Sequence, residues 1–138
     1  MEIQIHRLDS DWWLSREKIE SVVKDTCTRI ELQPLSIQVI FTNDADISAL
    51  HQNYLSDPTP TDIITFNLGE NDEIEGEIYI SVERAQDQAK VYKVSLAEEL
   101  TRLIIHGLLH LKGYDDLSDT DRRIMKQKED ELVRLTTG

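Results

Sequence analysis

The segment formed by residues 95–111 constrains the fold most, because its residues favour one long helix. Ser95 is a good N-cap, and Glu98 three residues later completes a capping-box pattern. Gly113 lies just beyond the segment and suits the left-handed residue that commonly ends a helix. The sequence therefore predicts a long helix that is followed at once by a sharp reversal of the chain.

The rest of the chain alternates between strand and helix patterns. Alternating and β-branched residues predict strands at residues 2–6, 35–42, 62–66 and 76–81, of which the last two should pair antiparallel. Helical spacing and capping residues predict helices at residues 15–31, 43–54, 82–92 and 118–135. This order predicts an α+β (mixed α/β layer) fold, with one sheet of about four strands covered by helices.

Length and cysteine content indicate a single cytoplasmic domain. The 138 residues fit one domain, residues 1–138. Cys27 is the one cysteine, so no internal disulfide can form, in agreement with a reducing compartment. The N-terminus lacks the pattern of a signal peptide, and no apolar run is long enough to span a bilayer. We therefore expect a cytoplasmic location and no membrane partner.

The net charge of −12 argues on average against a nucleic-acid partner, because binding to phosphates depends on Lys and Arg. The argument is not decisive. An acidic run between residues 70 and 77 carries much of the imbalance, and a local basic face can coexist with it. Charge alone thus leaves a nucleic-acid partner open.

Two histidines in the long helix predict a metal site. His106 and His110 are four residues apart, so they project from the same face one turn apart and could hold one ion. The alternative is an accidental pair. Gly107 lies between them, where Gly costs about 1 kcal/mol relative to Ala. A helix tolerates this best where something approaches its backbone closely.

The reversal at Gly113 carries two carboxylates, Asp115 and Asp116, back toward the histidine face. One carboxylate would complete a three-ligand site with an open position, which is typical of a catalytic metal. Zinc proteases of the H-E-x-x-H type are disfavoured, because Gly107 occupies the position of their catalytic Glu. Two histidines and a carboxylate also describe non-haem iron sites, although those ligands usually lie on strands.

Several motifs together resemble one known family. HGLLHLKGYDD at residues 106–116 resembles the signature H-G-x-L-H-x-x-G-x-D-H of the YbeY family of rRNA-maturation endoribonucleases. Further similar motifs are PTDIITF at residues 60–66, GEIYIS at residues 76–81, EELTRLIIHG at residues 98–107, and Met125 with Glu129. The motifs occur in the same order and spacing as in the family.

The resemblance implies a metal-dependent endoribonuclease that hydrolyses single-stranded RNA in rRNA processing, with rRNA precursors and ribosomal components as partners. It implies one bound Zn²⁺, or another divalent transition metal, that polarises a phosphoryl oxygen. The implied metal ligands are His106, His110 and Asp116. Asp115 is the candidate catalytic residue, as a proton acceptor or as a partner of a ligand.

The chain departs from the family pattern at two positions. Asp116 stands where the family has a third His, and Leu55 stands where many members have an Arg. The first departure leaves the identity of the metal open, and the second removes a cation expected to face RNA phosphate. An alternative function is therefore a non-catalytic ribosome-assembly binding protein in which the metal only stabilises the fold.

Overall fold

A computed structural model describes residues 1–6, 14–43, 45–47, 49, 62–114 and 118–137 of the chain. The strands are β1 (Glu2–His6), β2 (Ser36–Thr42), β3 (Ile63–Asn67) and β4 (Glu75–Ser81). The long helices are α1 (Arg16–Arg29), α2 (Val82–Tyr92), α3 (Leu96–Lys112) and α4 (Asp119–Thr137). Residues 45–47 and 49 are also helical, and the rest of the helix predicted there, through Tyr54, lies outside the described residues.

The four strands form one sheet in the order β1-β2-β4-β3. Strand β2 is parallel to both β1 and β4, whereas β3 and β4 are antiparallel. The predicted pairing of the last two strands is therefore confirmed, with Ile64 opposite Tyr79. Helix α1 provides the crossover that the parallel pair β1–β2 requires. One sheet packed against helices confirms the predicted α+β class.

Serine N-caps set where three helices begin. The hydroxyl of Ser15 accepts a hydrogen bond from the backbone N–H of Lys18, and Ser95 does the same for Glu98. Ser118 caps α4 in the same way. These bonds satisfy N–H groups that have no partner within the helix, which explains why the predicted and observed starts agree within a residue.

Helix α3 lies at the centre of the molecule and contacts the other three long helices and strands β3 and β4. Its apolar residues are almost completely buried, among them Leu100, Ile104 and Leu108. Gly107 faces β4, where an added Cβ would lie 2.9 Å from Cγ2 of Ile78. The close approach predicted for Gly107 is thus confirmed, and the neighbour is the sheet. Within the described part of the chain, no helix has the length and apolar character needed to cross a membrane.

Candidate functional site

The C-terminal end of α3 places the two histidines at the edge of the core. Gly113 ends the helix with φ +120°, and its N–H bonds to the carbonyl groups of Leu109 and His110. The N–H of Tyr114 also returns to Leu109, at 3.0 Å, so the chain reverses as predicted. His106 and His110 are only partly buried, although the residues between them are buried.

The two imidazoles converge on each other. The Nε2 atoms of His106 and His110 are 2.9 Å apart, and the ring centroids are separated by 4.6 Å. Two nitrogens bound to one tetrahedral ion, each at about 2.0–2.1 Å, would lie roughly 3.3 Å apart. The rings therefore need to separate by only a few tenths of an ångström to share a metal in place of a proton.

A carboxylate from the neighbouring helix α4 fixes the orientation of His106. Glu129 Oε1 lies 2.8 Å from Nδ1 of His106, and Glu129 is only 8% exposed. A carboxylate can only accept, so Nδ1–H donates to it and the lone pair of the neutral ring is on Nε2, facing His110. Histidine ligands of metals are commonly held by a carboxylate in this way.

Glu129 is a site residue whose role the sequence did not reveal. In the sequence, Glu129 is marked only as the end of a family motif that begins at Met125. The available signal is its spacing: Met125 lies one turn earlier and is 2% exposed, so Glu129 shares the inward face of α4. An acidic residue on an inward helical face needs a polar partner, which here is a histidine.

The donor set fits a borderline transition metal such as zinc, for which paired histidine nitrogens are ordinary ligands. Among the residues that the structure describes, no cluster of three or more His, Cys, Asp or Glu side chains surrounds a common point. Asp115 and Asp116, the sequence candidates for catalysis and for the third ligand, lie outside the described residues, as does Leu55. Their roles remain predictions.

A second buried carboxylate, Glu99, lies near the first. It is 2% exposed, and burial raises the pKa of its carboxyl from 4.5 to about 7. The charge of Arg102 opposes this shift, whereas the negative charges of Asp62 and Glu129 add to it. Glu99 Oε1 is buried and has no hydrogen-bond partner in the described residues. Glu99 thus differs from Glu129, which has a histidine to bind.

A cavity of about 370 Å³ is lined by both carboxylates and by His106. Helices α2, α3 and α4 and the residue before β3 form its walls, with Gln88, Glu99, His106 and Glu129 among the lining side chains. Its two cations are engaged by Asp130, at 2.6 Å from Arg102 Nη1 and 3.4 Å from Lys126 Nζ. Partial burial would raise the pKa of Asp130, but the hydrogen bond from Arg102 and the charges of both cations lower it.

Comparison with known proteins places this site in a family context. The model of the family described as Endoribonuclease YbeY matches residues 4–136. A protein of Flavobacterium psychrophilum named Endoribonuclease YbeY is 46% identical over 99 residues, which cover 72% of this chain and 71% of that protein. A protein of the same name from Protochlamydia amoebophila is 34% identical over 123 residues, covering 86% and 82% of the two chains.

The fold is shared as well. The solution structure of TM1509 from Thermotoga maritima matches with a TM-score of 0.68 and 27% identity, over 97% of this chain and 88% of that one. Because 97% of this chain is covered, the match includes helix α3, which carries the converging histidines. The chain therefore belongs to the YbeY family of endoribonucleases, which are RNA-cleaving hydrolases.

Proposed function

We propose that this chain cleaves single-stranded RNA, specifically precursor rRNA during ribosome maturation, and that it does so with one divalent transition metal, most simply Zn²⁺. His106, His110 and Asp116 would hold the ion. The observation that carries the proposal is the convergence of the two Nε2 atoms at 2.9 Å, with Glu129 bound to the far side of His106.

The protein's own residues then have distinct tasks. Glu129 keeps the Nε2 lone pair of His106 directed toward His110, so the pair can bind an ion after only a small separation of the rings. Asp115 would accept a proton from the attacking water. When bound, the metal would supply Lewis-acid polarisation of a phosphoryl oxygen.

The proposal includes a cytoplasmic location and ribosomal components as partners. A single buried cysteine, Cys27, suits a reducing compartment, where precursor rRNA is also found. The net charge of −12 requires that contact with RNA be confined to a small part of the surface.

The decisive experiment combines metal analysis with an RNA-cleavage assay on one sample purified without added metal. Wild type should contain about one transition-metal ion per chain and cleave single-stranded RNA, whereas His110→Ala should lose both. His6→Ala is a matched control, because His6 lies on β1 and bonds to Gln38. A chelator should abolish cleavage, and added metal should restore it.

The outcomes separate the proposal from its alternatives. Equal metal content in wild type and His110→Ala would refute the assignment of the site. Cleavage that survives both chelator and His106→Ala would come from a contaminating nuclease. A protein that retains its metal but does not cleave RNA would instead be an assembly factor with a structural ion.

The third ligand can be tested separately. Asp116→Ala should weaken metal binding at least as much as loss of a supporting group, about 10–100-fold. Asp116→His should keep the metal, because imidazole also coordinates it. If Asp115→Ala lost the metal and Asp116→Ala did not, the roles of the two residues would be exchanged.

A further inference from the structure

The cavity beside His106 has the dimensions of a ligand site. Its volume of about 370 Å³ lies at the lower end of the range for small-molecule pockets, roughly 300–1,000 Å³. Tyr92 and Leu103 contribute aromatic and apolar surface to its wall, and Tyr92 is 63% exposed. A mixture of an exposed aromatic ring and buried polar groups is typical of sites for planar, polar ligands.

Two acceptor atoms of the cavity residues are unused. Gln88 donates from Nε2 to Oδ2 of Asp62 at 3.0 Å, and because a carboxylate can only accept, this bond fixes the orientation of the amide. Oε1 of Gln88 and Oε1 of Glu99 are both buried and lack partners among the residues described. Both atoms have almost no accessible surface, so a ligand reaches them as their side chains turn toward the cavity. A ligand that donates two hydrogen bonds would then remove the cost of leaving the two atoms unpaired.

The charge of the cavity disfavours a phosphate. Its carboxylates come from three elements, Asp62, Glu99 and Glu129. Both lining cations, Arg102 and Lys126, contact Asp130, whose negative charge offsets part of theirs. The apolar wall, in turn, is unlike a site for a bare metal ion, which needs polar ligands all around. The chemistry that remains is a neutral, planar group with N–H donors.

Resting on the proposed cleavage of RNA, we infer that this cavity binds a guanine base of the substrate, with Gln88 and Glu99 as acceptors for its Watson–Crick edge. Guanine presents two adjacent donors there, N1–H and the 2-amino group, whereas each other RNA base places an acceptor beside its donor. His106 lines the same cavity, so the reaction centre would lie next to the bound base.

Other features of the cavity agree with this assignment. Desolvation disfavours the ionised form of Glu99, and donors from a base would supply the hydrogen bonds that this form lacks. The ring of Tyr92 is 63% exposed and available for stacking, which depends little on the identity of the base. Selectivity would therefore come from Gln88 and Glu99, and affinity in part from Tyr92.

The test compares guanosine with inosine, which lacks only the 2-amino group, in NMR titrations of the intact protein. Guanosine should bind the wild type at least about fivefold more tightly, since a good hydrogen bond contributes about 1 kcal/mol or more. In Glu99→Gln an amide N–H₂ faces the base, so the preference should fall below about twofold. Glu98→Gln, one residue earlier and outside the cavity, should retain it.

A second variant tests the division of roles. Tyr92→Ala should weaken both nucleosides by a similar factor and leave the guanosine-to-inosine ratio unchanged, because stacking does not read the base edge. Gln88→Met should also weaken both nucleosides by a similar factor, since it removes the acceptor for N1–H, a donor that inosine retains. A lower ratio in Glu99→Gln, together with an unchanged ratio but weaker binding in Gln88→Met, would support the site.

Several results would overturn the inference. These are equal binding of guanosine and inosine by the wild type, an unchanged preference in Glu99→Gln, and shifts of the cavity resonances by Mg²⁺ but not by guanosine. The binding test needs no cleavage, so its outcome is independent of the nuclease assay. Guanosine binding without RNA cleavage would refute the proposed function alone, and cleavage without any preference for guanine would refute this inference alone.

Discussion

Glu99 and Glu129 line the same cavity and are almost equally buried, yet they are in opposite electrostatic situations. Glu129 bonds to Nδ1 of His106, so its charge has a partner, and its effect is to orient a candidate ligand. Glu99 has an oxygen without a partner in the described residues, and burial raises its pKa to about 7. Burial alone therefore does not decide what a carboxylate does. What decides is whether a donor is placed within reach.

The largest effect expected from this difference is on stability. The pKa of Glu99 is higher in the folded state than its usual 4.5, so its contribution to stability is complete below about pH 4.5 and is lost as pH rises through about 7. Glu99→Gln does not titrate. The free energy of unfolding of this variant, relative to wild type, should therefore increase between about pH 5 and pH 9, by on the order of 3 kcal/mol at most.

Urea denaturation of both proteins across this pH range measures the effect. Four charged groups influence the pKa of Glu99 and must not be substituted in the proteins compared, namely Arg102, Lys126, Asp62 and Glu129. Glu98→Gln controls for the loss of one charge on the same helix. A constant difference between wild type and Glu99→Gln at all pH values would show that Glu99 is not the buried, titrating group described above.

The next prediction concerns Glu129. Glu129→Ala should lower metal affinity about 10–100-fold, because the ring of His106 loses the group that orients it. Glu129→Gln should have a smaller effect, since the amide oxygen can still accept from Nδ1–H. Metal titrations give the affinities, and ¹⁵N shifts of the imidazole report the tautomer. An unchanged tautomer and affinity in Glu129→Ala would reduce Glu129 to a residue that only stabilises the fold.

One part of the site, the histidine pair, could be predicted from the sequence, whereas the contact with Glu129 could not. The spacing of His106 and His110 predicts that they share a helix face, because that relation is local, and the structure confirms it. The contact between His106 and Glu129 joins residues 23 positions apart on two helices. It depends on how α3 and α4 pack, which no local pattern specifies.

The burial of Glu99 could not be predicted from the sequence, because an acidic residue at this position has an ordinary explanation that does not involve burial. Glu98 and Glu99 both lie in the first turn of α3, where acidic residues are favoured by the helix dipole. Which of the two faces the core depends on the rotation of α3 against the sheet. Strands, helices and caps follow local rules, and in the described residues their ends lie within two residues of the predicted ones. The rotation of α3, by contrast, is set by contacts such as that of Gly107 with Ile78.

Gly107→Ala would therefore disturb the histidine end of α3 more than the Glu99 end. The added methyl group would lie 2.9–3.1 Å from three carbons of Ile78, so either the helix or the strand must move. Overpacking costs about 1–3 kcal/mol, and the better helix propensity of Ala returns up to about 1 kcal/mol. We expect a net loss of about 0–2 kcal/mol in the free energy of unfolding.

A double-variant cycle tests this origin. Ile78→Ala alone should be destabilising by about 2–5 kcal/mol, but combined with Gly107→Ala it should cost less than the sum, because the new methyl group occupies vacated space. Strict additivity would mean that the glycine is not required by its contact with β4. Amide shifts near His106 should move more than those near Glu99.

The smallest expected effect concerns Arg102, which bonds to Asp130 and whose charge acts on Glu99. Its positive charge lowers the pKa of Glu99 against the larger effect of burial, so Arg102→Gln should raise that pKa further above about 7. Lys126→Gln removes a weaker influence on Glu99 and should cause a smaller shift in the same direction. The global stability should change by less than about 1 kcal/mol, because Asp130, their shared partner, is 49% exposed and such pairs contribute little.

A titration followed through the side-chain ¹³C shift of Glu99 gives the pKa in each protein. A fall in the pKa of Glu99 in Arg102→Gln would show that the guanidinium does not act on this carboxylate through its charge.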